Sequence, residues 1–134
     1  MVKKLALLFM LFLLPSLASA QQIDVRFLDI DQYIMAKDNV TLIDVRSTMS
    51  RDRSKLEIPG EVWINPKSGA ALDSFLASAD KDTSYVIFCS CTDDNYSIRT
   101  AQILAKNGFE KVFVLRNGWD VLQKNDTIEK VEVQ

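Results

Sequence analysis

The sequence predicts an α/β domain built on a central parallel sheet with helices on both faces. Two observations carry this. The stretches VTLIDVRS (40–47), SYVIFC (84–89) and KVFVL (111–115) are β-branched, aromatic and apolar without a clean alternation. A strand with one wet face alternates, whereas a strand buried on both faces is apolar throughout. Between these stretches lie segments in which apolar residues recur at helical spacing. Strands of this kind alternating with helices specify a parallel sheet covered on both sides.

Taken in order, DVRFLDIDQYIMAKDN (24–39) begins extended and then turns helical, with Ile30, Tyr33 and Ile34 on one face and Asp29 as N-cap. Val40 to Ser47 is a buried strand. In EIPGEVWINP, Pro59-Gly60 is a turn that leads into a short strand from Val62 to Ile64. GAALDSFLASADKD is an amphipathic helix with Leu72, Phe75 and Leu76 inward. SYVIFC is the second buried strand. NYSIRTAQILAKNGF is a helix that keeps Ile98, Ala101 and 103–105 apolar and stops at Gly108. KVFVL is the third strand of this type, and NGWDVLQKND is a turn with a short helix. The last residues, TIEKVEVQ, alternate and read as an edge strand or a tail. The run Arg51, Asp52, Arg53 and Lys55 reads as a solvated loop of mixed charge. Trp63 and Trp119 read as packing residues, and Glu57 has no evident role.

The first twenty of the 134 residues read as a leader rather than as part of the fold. Lys3 and Lys4 precede an apolar run from Leu5 to Leu14 that is too short to span a bilayer, and Ala18-Ser19-Ala20 fits a cleavage site. Cleavage before Gln21 removes 20 of 134 residues and leaves 114, enough for a single domain over 21–134 with a core of about 25–125. The formal charge moves from −2 to −4, because only Lys3 and Lys4 are lost. A mildly acidic chain with no basic block offers nothing to nucleic acid. It has no second apolar run of membrane-spanning length, so no membrane contact is expected after cleavage, and a monomer is expected. Export places the domain in an oxidising compartment, the periplasm or outside the cell.

The chain has no histidine, which excludes Ser-His-Asp and Cys-His catalysis and any His-ligated metal. Its two cysteines, Cys89 and Cys91, are one residue apart and follow the second strand directly. In parallel α/β sheets the ligand crevice lies beyond the carboxyl ends of the strands. Cys89 sits at such an end, and so does Asp44-Val45-Arg46. The pair is open to several roles: a nucleophile, a labile disulfide, or a metal clip formed with Asp93 and Asp94.

The order of these pieces resembles the rhodanese family. LIDVRS (42–47), then EIPGEVWINP, then an apolar strand ending in cysteine, then GFEKVFVLRNGWDVL (108–122) follow that family's pattern of motifs over most of the chain. The resemblance implies a three-layer rhodanese-like fold. It also implies a sulfurtransferase whose cysteine takes sulfur from a donor such as thiosulfate or polysulfide. The sulfur is held as a persulfide and passed to a thiol or cyanide acceptor, or to a protein thiol. No cofactor is implied. A strand-to-helix loop suits this chemistry, since backbone N–H groups and the helix N-terminus lower a thiol's pKa and hold an anionic sulfur.

The active-site loop departs from the family's usual Cys, four residues, Arg-Ser. Counted from the strand, Cys89 takes the catalytic position. Counted back from Gly108, Cys91 takes it and Ser97 falls on the family's serine. The loop therefore carries an insertion of two residues. It resembles a branch with Cys-x-Cys-Pro and a later arginine, which Arg99 matches, with Thr92 in place of the proline. Cys89 is the expected carrier, because an insertion is absorbed better in a loop than in a central strand. Cys91 is the alternative carrier or a resolving thiol. Ser90, Thr92, Asp93, Asp94, Asn95, Tyr96, Ser97 and Arg99 make up the expected substrate loop. By the same resemblance Asp44 and Arg46 are supporting residues. Asp93 and Asp94 either raise the pKa of a nearby thiol and repel an anionic donor or face water as helix-capping residues. The competing functions are a thiol redox or binding module that uses a Cys89–Cys91 disulfide, and an oxyanion enzyme. The latter needs five residues between cysteine and arginine, whereas nine separate Cys89 from Arg99 and seven separate Cys91 from it.

Overall fold

The computed structural model describes residues 23–134. The leader assigned to 1–20 and its cleavage before Gln21 lie outside the described residues. The chain opens with β1 (Arg26–Leu28) and α1 (Ile30–Ala36). Asp29 caps α1, and its backbone N–H donates to Gln32 Oε1 at 2.9 Å. That reciprocal arrangement satisfies N–H groups that the first helical turn cannot. Next come β2 (Thr41–Asp44), α2 (Thr48–Ser54), β3 (Leu56–Glu57), β4 (Val62–Trp63) and α3 (Gly69–Ser78). The second half holds β5 (Tyr85–Phe88), α4 (Asn95–Lys106), β6 (Val112–Leu115), α5 (Gly118–Lys124) and β7 (Val131–Glu132).

Five strands form one sheet in the order β1-β6-β5-β2-β4, and every pair is parallel. The central strand β5 is buried at all four positions. Its residues divide by parity, as a pleat requires. Tyr85 and Ile87 join Ile43, Leu104 and Phe109 on the face covered by α3 and α4. Val86 and Phe88 join Leu42, Leu115, Trp119 and Leu122 on the face covered by α1 and α5. Each such apolar side chain is worth about 1.5–3 kcal/mol when fully buried, so both faces of the sheet centre contribute to its stability. The expected parallel sheet with helices on both faces is present.

Several boundaries differ from expectation. The first buried strand ends at Asp44 rather than Ser47, because Asp44 Oδ1 accepts the Arg46 backbone N–H at 2.8 Å and turns the chain. The strand expected to reach Ile64 stops at Trp63. The run read as a solvated loop is in part the helix α2. Ser47 caps it, accepting from the Ser50 N–H at 3.2 Å, and Lys55 ends it in the left-handed region at φ 57°. Within that run Arg51 is buried. The C-terminal segment is an edge strand, with β7 pairing antiparallel to β3 in a separate two-stranded sheet.

Candidate functional site

The site forms where β5 ends. Cys89 follows Phe88 directly and is 1% exposed. Three contacts fix its backbone. The Val45 N–H donates to the Phe88 carbonyl at 2.9 Å, which holds the strand end to its neighbour. The Trp119 N–H donates to the Cys89 carbonyl at 2.9 Å, which ties it to the start of α5. Gly118 packs so closely beneath that a Cβ there would lie 2.8 Å from the Cys89 carbonyl oxygen and from Phe88 Cβ. Only glycine allows that approach.

Cys89 and Cys91 are joined as a disulfide, with their Cα atoms 5.6 Å apart. Cys91 is half-buried, while Ser90, Thr92 and Asp93 are exposed. The loop closes on Asp94, which is 8% exposed and stands in the left-handed region at φ 53°. Its carbonyl accepts the Ile98 N–H at 2.9 Å and so starts α4. Its Oδ2 accepts the Asn117 N–H at 3.1 Å and thus links the loop to the turn before α5. Asp93 and Asp94 therefore part company, one facing water and the other acting as an internal strut. The clip of Cys89, Cys91, Asp93 and Asp94 does not assemble. No three cysteine or carboxylate side chains gather as a metal-binding group among the described residues. Two buried oxygens, Asp94 Oδ1 at the loop's end and Ser97 Oγ in the first turn of α4, have no hydrogen-bond partner among the described residues.

A cavity of about 300 Å³ opens over the disulfide, lined by Cys89, Cys91 and Thr92 on one side and Asn117, Trp119 and Gln123 on the other. Asp120 also lines it and bonds Lys124 at 2.8 Å. A second groove of about 230 Å³ meets Cys91 from the direction of α2. Asn95 and Tyr96 are exposed at the start of α4, and Tyr96 reaches the second groove. Arg99 is exposed but lines neither cavity. It faces a third groove with Thr100 and Ile103, against 64–69 and Leu72. Arg99 is thus not brought to the sulfur pair, because it falls on a different side of α4.

Under the floor lies a charge network. Arg46 is fully buried and grips Asp44 with two nitrogens, at 2.8 to 3.1 Å. Its guanidinium also bonds Ser54 Oγ at 3.0 Å and the Leu56 carbonyl at 2.9 Å. It lies 3.7 Å from the Trp119 ring centroid, so it supports the cavity wall without reaching the cavity. Arg51 adds a second cation, bonded to Asp44 at 2.5 Å, Glu61 at 2.6 Å and Glu57 at 2.7 Å. Burial opposes the charge on Arg51, yet the Glu61 hydrogen bond and the Asp44 charge hold its pKa above the ordinary value. Two guanidiniums face three carboxylates here. Burial, together with the neighbouring Asp44 charge, pushes Glu61 up to about 7. Burial, with Asp38 and Glu61 nearby, likewise pushes Tyr33 up to about 12.

Sequence reasoning missed Arg51, Glu57 and Glu61 as a unit, and it missed Asn117, Asp120 and Gln123 as the far wall and Gly118 as the close contact behind it. The dipeptide Asn117-Gly118 was the available signal. A left-handed asparagine followed by glycine after a buried strand marks a place where backbone comes close to something.

The model of the rhodanese-like domain matches residues 22–125. No curated protein sequence matches the chain. Among solved structures, the rhodanese-like domain of the Alr3790 protein from Anabaena sp. superposes with a TM-score of 0.64 at 16% identity, over 83% of this chain and 81% of that one. A rhodanese-related protein from Thermoplasma volcanium gives 0.58 at 16%, over 79% and 97%. EanB, solved with ergothioneine, gives 0.65 at 18%, over 81% of this chain but only 28% of its own. At these identities the structural likeness concerns the fold. The family model covers most of the chain, and the chain belongs to the rhodanese-like domain family.

Proposed function

We propose that this protein is a sulfurtransferase that carries sulfane sulfur at the Cys89–Cys91 pair, with Cys89 as the carrier. One observation bears most of the weight. Cys89 stands at the carboxyl end of the central strand, where the fold places its crevice, and a cavity opens directly over it. Trp119, Gly118 and Asp94 hold the surrounding loop rigidly without contributing a competing nucleophile. A thiol reductant supplies two electrons to the disulfide and frees the thiolates. A thiolate of the pair then attacks the outer sulfur of a donor such as thiosulfate or polysulfide, the donor's S–S bond breaks, and sulfite or the shortened polysulfide leaves. The persulfide then yields that sulfur to a thiol or cyanide, or to a protein thiol. We place this work in the periplasm or outside the cell, on the strength of the leader-like segment at 1–20.

A second reading is favoured by the disulfide itself. A Cys-x-Cys ring is small and reducible, so the pair could cycle as a redox module with no sulfur transfer. Sulfur transfer to cyanide from thiosulfate or polysulfide, assayed after reduction, separates the two. The transferase reading predicts turnover that Cys89→Ser abolishes. Turnover left intact by Cys89→Ser and by Cys91→Ser, each alone, sinks it. No turnover, with a disulfide that cycles reversibly, favours the redox module.

A further inference from the structure

The cysteine pair is approached from two sides, and the two sides differ in charge. The cavity over Cys89 contains Asp120 and side-chain amides but no cation. The groove on the α2 side contains Arg53 and no carboxylate. Arg53 is exposed and has no carboxylate partner among the described residues; its side-chain contact is with Met49 Sδ at 3.7 Å. It differs in this from Arg51, two residues away, which three carboxylates neutralise. Hydroxyls line the same groove. Ser50 Oγ and Ser90 Oγ touch and so tie α2 to the loop, and Ser47 lies beside them. Met49, 66% exposed, and Tyr96, 37% exposed, form apolar flanks. The cysteine that lines this groove is Cys91, not Cys89.

We propose that the groove between α2 and the cysteine loop is the entry subsite for a small anionic sulfur donor, with Arg53 as its binding cation and Cys91 as the sulfur it meets. This rests on the sulfurtransferase reading, takes its thiosulfate-type donor as given, and adds the groove by which that donor enters and the residue that binds it. A sulfane donor with an oxyanion end, such as thiosulfate, fits the groove's size, its single positive charge and its hydroxyl donors. The reduced Cys91 thiolate attacks the outer sulfur of thiosulfate. The S–S bond of thiosulfate breaks, Cys91 becomes a persulfide, and sulfite leaves with the electron pair. Cys89 lies within disulfide reach, so its thiolate then takes the outer sulfur and returns Cys91 to a thiolate. The acceptor is served from the other cavity. Neither aspartate of the loop lines this groove: Asp94 is turned inward against Asn117 and Asp93 faces water.

The test does not depend on turnover. Fully reduced protein is alkylated with iodoacetate, an anion, and in parallel with neutral iodoacetamide, and modification of Cys91 is timed by peptide mass mapping. The proposal expects Arg53→Gln to lower the iodoacetate-to-iodoacetamide rate ratio at Cys91 about fivefold, as loss of one nearby, partly screened charge should. It expects Arg53→Lys to restore most of the ratio, and thiosulfate to protect Cys91 in wild type but not in Arg53→Gln. A ratio unchanged by Arg53→Gln overturns the subsite, and so does equal slowing of both reagents. If the ratio falls as expected but no cysteine ever gains sulfur, the anion site stands and the transferase reading fails.

Discussion

Glu61 shows how one residue can be readable as a letter and unreadable as chemistry. In sequence it is one charged residue after a Pro-Gly turn. In the fold it is the third carboxylate around two guanidiniums, with its Oε2 accepting the Ile58 N–H at 3.1 Å. Burial and Asp44 push its pKa up to about 7, well above its ordinary 4.5. A raised folded-state pKa means that folding takes up a proton, so its stabilising share is complete below about 4.5 and is lost as the pH rises through about 7. The expected outcome is that the stability advantage of wild type over Glu61→Gln shrinks between those limits, by on the order of 2 kcal/mol. Urea unfolding at a series of pH values checks this, and a difference that stays flat or grows with pH contradicts it. Arg51 is the same lesson with the sign reversed. Its burial requires Asp44 of β2, Glu57 of β3 and Glu61 from the turn before β4, and no local spacing announces such a meeting. Cys89 was legible because a buried strand that ends in a cysteine is a local pattern.

At the scale of elements, the strands were legible and the connections less so. Tyr85–Phe88 and Val112–Leu115 are apolar because both faces of the sheet are covered, and that property is written into each strand separately. The helix α2 was hidden because its residues are mostly polar and its one buried side chain is an arginine. The contact between β5 and α5 is the element-scale feature that matters most for the site. Gly118 lets the start of α5 come within hydrogen-bond reach of the Cys89 carbonyl. Gly118→Ala places a methyl in a space that is already filled, so β5 and α5 must separate. The expected cost is roughly 1–3 kcal/mol of stability. Sulfur transfer should fall further than the loss of folded protein explains. Chemical denaturation together with turnover per folded molecule reads both effects. Unchanged stability and unchanged turnover would mean that this approach does not position Cys89.

At the scale of the whole molecule, the sheet order β1-β6-β5-β2-β4 puts Asp44-Arg46 and Cys89 at neighbouring strand ends. The charge network braces Trp119 from below, Trp119 walls the cavity, and the cavity opens on the sulfur pair. Sequence order alone gave the class of fold and the end of the sheet at which to look. It did not give the two approaches to the pair, because they arise from α2 and α5, which are far apart in the chain. Nor did it place Arg99 away from the sulfurs, which follows from its side of α4. No helix among the described residues is long and apolar enough to cross a membrane. On the proposed function, the pair holds sulfur and does not merely cycle between thiol and disulfide. Mass spectrometry of the reduced protein, after exposure to thiosulfate or polysulfide, tests it directly. One added sulfur is expected on the peptide that contains Cys89 and Cys91, with stable retention lost in Cys89→Ser. A peptide that only ever shows the two-hydrogen difference between dithiol and disulfide would contradict it.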